Sequence, residues 1–171
     1  MTVKHIFIYG APGAGKTTVS DALQDKTKIP IVHGDFIREF PGTKSAWRKY
    51  GSLTKKNVVS GLDYVREYMS ADVSIIFSKA DRTIFEAVFI DPDQYYDKTN
   101  VFLIVTLDED EHREHFFEPV YRKETDETKE NFLAVRMIQD YLIEEAKSLN
   151  VKVIHNTDST MKALDELILE L

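Results

Sequence analysis

The stretch Gly10-Ala11-Pro12-Gly13-Ala14-Gly15-Lys16-Thr17 follows directly on the apolar run Ile6-Phe7-Ile8-Tyr9. Glycine weakens helices and strands alike, so three of them between positions 10 and 15 call for a turn or a ligand. The spacing Gly-x4-Gly-Lys-Thr, after a strand-like run and before a helical pattern, is that of a P-loop. Gly10, Ala11, Pro12, Gly13, Ala14, Gly15, Lys16, Thr17 and Thr18 are therefore expected to wrap the phosphates of ATP. Inward-pointing N–H groups and the helix N-terminus would supply the attraction. Lys16 is expected to reach the β- and γ-phosphates as a catalytic cation, and the Thr17 hydroxyl to ligate Mg²⁺.

The rest of the pattern suits such a loop. Apolar runs at Val3–Tyr9, Ile29–His33, Thr83–Phe89, Val101–Leu107 and Val151–Ile154 alternate with helical patterns at Lys16–Lys26, Asn57–Lys79, Glu109–Glu118 and Asp126–Leu149. A last helical stripe, Met161, Leu164, Ile168 and Leu171, follows an N-cap at Asp158 or Ser159. Continuous β-rich runs between helices predict an α/β fold, a five-stranded parallel sheet flanked by helices, of the nucleoside-monophosphate-kinase-like P-loop type. The 57–79 helix is expected to break near Ser70-Ala71-Asp72. Only about eleven residues separate the third and fourth strands, near the minimum for a crossover. No repeat or linker divides residues 1–171, so one domain is expected, with a substrate-binding segment near 36–60 and a mobile lid near 112–128.

Charge and composition narrow the partners. A net charge of −7 argues against general nucleic-acid binding. The absence of cysteine excludes disulfides and thiolate metal sites. No apolar run is long enough for a membrane span or a signal peptide, so a cytoplasmic protein is expected. The residues Phe40 to Leu62 carry five cations (Lys44, Arg48, Lys49, Lys55, Lys56) and no acid. Such a stretch in an acidic chain reads either as a solvated surface run or as a local trap for a small anion.

No Asn/Thr-Lys-x-Asp guanine signature follows the last strand, where the chain reads His155-Asn156-Thr157-Asp158. A short P-loop chain with a separate basic segment points to a small-molecule kinase. Asp35, in "HGDFIR" at the end of the second strand, is placed to orient or deprotonate an acceptor hydroxyl. Arg38, Lys44, Arg48 and Lys49 are placed to bind its anionic groups. Glu86, within "TIFEAVF", is a carboxylate in an apolar strand; it must be paired or close to a metal, so it is expected near the Mg²⁺ and the substrate. Arg122 is the expected catalytic lid arginine, Arg113 having acidic neighbours to pair with. Arg136 is a further candidate for the substrate, although Asp140 stands at i+4. His112 and His115 read as a solvated helix face rather than a zinc site. Trp47 and Tyr50 either wall the pocket or anchor the basic loop.

Two longer stretches carry a family likeness. "IFEAVFIDP" resembles the "IIEGVHLVP" pattern of 2-phosphoglycerate kinases. The region from Asp110 to Ile154 is similar to their C-terminal part, above all Glu130–Leu142, which fits E-N-F-x-A-[IV]-R-x-I-Q-D-Y-L. The resemblance implies a P-loop kinase using ATP and Mg²⁺ on the hydroxyl of a phosphorylated hydroxy acid. Ala87 and Phe89 stand where that pattern has Gly and His, so the pocket beside Glu86 is expected to differ. Many members carry an additional N-terminal region, whereas here the first strand comes at once. A stand-alone relative is therefore expected, of the kind represented by the mevalonate 3-phosphate 5-kinases of archaea. The competing expectations are a nucleotide-regulated binding protein and a kinase of a nucleoside or other uncharged acceptor.

Overall fold

The strands form where apolar side chains can be buried on both faces of a sheet. In the computed structural model, β1 (His5–Tyr9), β2 (Ile31–His33), β3 (Ile84–Ala87), β4 (Thr99–Val105) and β5 (Lys152–His155) make one parallel sheet of order β2-β3-β1-β4-β5. The structure describes residues 5–34, 44–45, 48–49, 58–78, 81–88, 90–95, 99–119, 121–157 and 159–171. Asp35, Arg38, Trp47, Tyr50, Lys55, Lys56 and Phe89 lie outside the described residues.

Alternation along each strand divides the core in two. Phe7, Tyr9, Phe85, Leu103 and Val105 face one side, with Leu62, Val65 and Val73 of α2 (Val58–Phe77) and Phe132, Ile138 and Leu142 of α4 (Asp126–Ser148). Ile6, Ile8, Ile84, Phe102, Ile104 and Ile154 face the other, with Val19 and Leu23 of α1 (Lys16–Thr27) and Leu164 and Leu167 of α5 (Thr160–Leu169). Strands covered in this way carry apolar residues at consecutive positions, which is why they read as apolar runs.

Helix α2 and strand β4 differ from the sequence expectation. Helix α2 runs through Ser70–Asp72 without a break. The Ser70 carbonyl accepts from Ser74 Oγ at 2.9 Å and from the Tyr95 hydroxyl at 3.4 Å, and Asp72 is buried. These polar residues therefore serve contacts rather than end the helix. Strand β4 starts and ends two residues early: buried Thr99 gives its hydroxyl to Tyr95 O, and Thr106 N–H goes to Gln139 Oε1 instead of the sheet. The β3–β4 connection passes over β1, which lies between them, through a 3-10 turn at Pro92–Gln94 capped by Asp91. Ser159 caps α5. Among the described residues, no helix is long and apolar enough to cross a membrane.

Candidate active site

The loop after β1 turns where only glycine is comfortable. Gly13 and Gly15 both have φ +83°, a left-handed conformation that side chains rarely adopt. A Cβ on Gly13 would also lie 3.0 Å from the Phe116 Cα of α3 (Glu109–Phe117). The carbonyls of the loop are held from outside it. His112 Nε2 lies 2.9 Å from Pro12 O, and Asn156 Nδ2 and Thr106 Oγ1 donate to Ala14 O at 3.3 and 3.4 Å. Gly15, having no side chain, caps α1 without a side-chain bond, and the first turn holds no acid. The positive end of α1 therefore meets a ligand uncancelled.

Beside the loop lies a buried charge network. Lys16 and Glu86 are 7% and 6% exposed, with Lys16 Nζ 3.7 Å from Glu86 Oε1 and 3.4 Å from Ala11 O. His33 Nδ1 stands 3.1 Å from Glu86 Oε2, and its Nε2 3.3 Å from Asp21 Oδ1 on α1. Burial pushes the Glu86 carboxyl up. The His33 hydrogen bond, the charges of Lys16 and His33 and the Thr17 hydroxyl together outweigh that, so its pKa falls below the ordinary carboxylate value. In β3 Glu86 stands opposite Ile8 and His33, one residue before the end of the strand.

These groups share a cavity of about 570 Å³ at the C-terminal edge of the sheet, where open parallel sheets bind ligands. Gly13, Gly15, Lys16, Thr17, Thr18, Gly34 and Glu86 line it, together with His115, Tyr121 and Arg122. Arg122 donates to Phe116 O at 3.1 Å, its guanidinium 4.6 Å from the centre of the Phe116 ring. Arg113 instead pairs with Glu124.

Other candidates are placed elsewhere. Arg136 directs its donors to Thr106 O, Leu107 O and His112 Nδ1, within the protein and not across to Asp140. Of the described residues in the basic stretch, none of Lys44, Arg48 and Lys49 lines the cavity; Lys49 Nζ lies 4.4 Å over the Tyr64 ring. His112 is wholly buried, which corrects the expectation of a solvated face. Sequence reasoning missed His33, Gly34 and Asn156. The first two are in the "HGDFIR" segment that drew attention only to Asp35, and Asn156 entered only in excluding a guanine signature.

The sheet order, the glycine loop after its central strand and the buried lysine together define a P-loop kinase with the nucleoside-monophosphate-kinase-like fold. No family model matches the chain. A mevalonate-3-phosphate 5-kinase from Thermoplasma acidophilum is 26% identical over 193 aligned positions, covering 98% of this chain and 95% of that protein. A 2-phosphoglycerate kinase from Methanocaldococcus jannaschii is 25% identical; the match covers 88% of this chain and 58% of that longer protein. A shikimate kinase from Bacteroides thetaiotaomicron shares the fold, with a TM-score of 0.64 at 17% identity over 98% of this chain and 99% of that one. At modest identity over most of the chain, the two curated relatives support a P-loop kinase of this group.

Proposed function

We propose that the chain transfers the γ-phosphoryl group of ATP to a hydroxyl of a small, already phosphorylated hydroxy acid. The observation that carries this is that Lys16, Thr17, Glu86 and Arg122 line one and the same cavity. Lys16 would neutralise the β- and γ-phosphates, and Arg122 would meet the charge that develops as the phosphoryl group moves. Asp35 is assigned to the acceptor hydroxyl, and Arg38 with the basic stretch at Lys44, Arg48 and Lys49 to its anionic groups.

The donors beside Lys16 suit a hard cation. The Thr17 hydroxyl and the Glu86 carboxylate are adjacent oxygen ligands at the cavity wall, and Glu86 is held ionised. Among the described residues, no group of three or more His, Cys, Asp or Glu forms a dedicated metal cage. That agrees with Mg²⁺, which is commonly held by one or two protein oxygens together with substrate phosphates. When held there by Thr17 and Glu86, Mg²⁺ would supply positive charge that neutralises the phosphates.

Both curated relatives are named for phosphorylated acceptors, which supports the acceptor class. ATP turnover over a panel containing mevalonate 3-phosphate, 2-phosphoglycerate and shikimate tests the reading. Acceptor-dependent ADP release with a phosphorylated hydroxy acid is expected; ATP binding with no acceptor-dependent turnover rejects it. A second reading, an uncharged acceptor, is favoured by the finding that Lys44, Arg48 and Lys49 are not among the residues that line the cavity. It predicts that neutralising all three leaves the acceptor KM unchanged.

A further inference from the structure

The lid expected near 112–128 takes in most of helix α3, yet that helix is fastened to the phosphate loop by a buried side chain. His112 is 0% exposed, its ring edge-on to Phe132 at 5.4 Å. Its two nitrogens have different neighbours: Nε2 is 2.9 Å from Pro12 O, and Nδ1 is 3.0 Å from Arg136 Nη1. A guanidinium can only donate and a carbonyl can only accept. Nδ1 must therefore carry the lone pair and Nε2 the proton, so one neutral tautomer satisfies both bonds. Arg136 is itself fixed by Thr106 O and Leu107 O, each at 3.1 Å.

The charged and titratable groups facing the ring come from three helices: Arg136 of α4, His115 of α3 and Lys16 of α1. Burial lowers the His112 pKa to about 4; the bond to Pro12 opposes the shift, and those neighbouring charges add to it. The ring is neutral throughout the physiological range. One turn on, Phe116 packs against Gly13, while its carbonyl and ring hold Arg122. His112 and Phe116, four residues apart on one helix face, thus join the loop to the arginine that also lines the cavity.

We propose that His112 is a positioning residue for nucleotide binding: it fixes the Pro12–Gly13 segment against α3, so that the phosphate loop and the α3 anchor of Arg122 form one assembly, and the hinge of the lid lies beyond Phe116. This rests on the nucleotide half of the proposed function and is independent of the acceptor.

The test measures Mg·ATP affinity by calorimetry without any acceptor. His112→Phe keeps the aromatic packing and removes both bonds; about tenfold weaker ATP binding is expected. His112→Gln supplies one N–H and one carbonyl oxygen at similar reach and is expected to recover to within about threefold of wild type. Nitrogen NMR of histidine-labelled wild type provides a readout that needs no variant to fold. It should show His112 in the Nε2–H neutral form at pH 7, with a resonance that moves when ATP is added. ATP affinity of His112→Phe within about twofold of wild type would overturn the proposal. So would a Gln variant no better than Phe, an Nδ1–H or doubly protonated ring, or a resonance indifferent to ATP. A chain that binds ATP and phosphorylates no acceptor in the panel sinks the proposed function and leaves this inference standing.

Discussion

Two buried cations, each facing a carboxylate, are held in opposite ways. Arg66 of α2 grips Glu145 of α4 with both prongs, at 2.6 and 2.7 Å, and gives a third bond to Ile90 O at 2.8 Å. Burial opposes its charge, but the Glu145 hydrogen bond and charge outweigh that and raise its pKa. Lys16 is just as buried, yet its Nζ lies 3.7 Å from Glu86 Oε1, beyond good hydrogen-bond reach. A forked pair fixes the geometry of both groups and ties two helices together. At that separation the Lys16–Glu86 pair rests on charge attraction between two buried groups and not on a short forked bond, and under the proposed function Lys16 is the cation that meets phosphate. The difference teaches where this molecule keeps rigidity and where it keeps reactivity, although both pairs look alike as buried Lys/Arg with Glu.

The sharpest way to break that contrast is Lys16→Met. It removes the loose charge without opening a large hole, and turnover should fall by about 10³-fold while the melting temperature stays near wild type. A variant that melts much earlier, or that retains most activity, would make Lys16 a structural residue like Arg66. The mirror experiment is Glu145→Gln. Leaving Arg66 buried beside a neutral amide should cost about 3 to 5 kcal/mol in urea unfolding, with kcat of the folded fraction unchanged. A clear loss of kcat at constant stability would mean that the second pair also serves the reaction.

Acid sharpens the comparison further. His112, lowered to about 4 from 6.5, binds its proton in the unfolded chain before it does so in the native one. Its contribution is complete above about pH 6.5 and is lost as the pH falls toward about 4, roughly 3 kcal/mol in all by order of magnitude. Glu86 is also depressed, so its contribution is complete above 4.5 and is lost only below that. Urea unfolding as a function of pH should therefore show an upper limb that His112→Gln flattens and a lower limb that Glu86→Gln flattens. A wild-type profile level between pH 6.5 and 4 would contradict the buried neutral histidine.

What could be read in advance follows the same division. The sheet was legible because strands covered on both faces carry apolar residues at consecutive positions, as in Ile6-Phe7-Ile8-Tyr9. The loop was legible because its glycines and Lys16 are adjacent in sequence. Less legible were groups whose partners lie far along the chain. His33 meets Glu86, 53 residues away, and His112 meets Pro12, 100 residues away. No local spacing announces such pairs. Periodicity likewise predicted a break at Ser70–Asp72 because it registers polar residues, not the Tyr95 hydroxyl that meets the Ser70 carbonyl. Arg136 was drawn toward the substrate by its charge, whereas its fork finds backbone carbonyls at the end of β4.

The smallest expected effect concerns a third pair, which fixes the lower end of the scale. Arg113 and Glu124 are 40% and 45% exposed in their side chains. Exposed pairs are screened by water and pay side-chain entropy for their geometry, so Arg113→Ala should change stability by no more than about 1 kcal/mol. Its guanidinium is turned toward Glu124 and lies 5.8 Å from the Phe117 ring, away from the wall that Arg122 lines. Turnover of Arg113→Ala should therefore stay within about twofold of wild type, whereas Arg122→Ala should lose about tenfold or more. Equal losses from the two would mean that closure brings Arg113 onto the phosphates as well. The hinge would then have to lie before Arg113, not beyond Phe116, and the anchoring of α3 through His112 would have to release during the cycle.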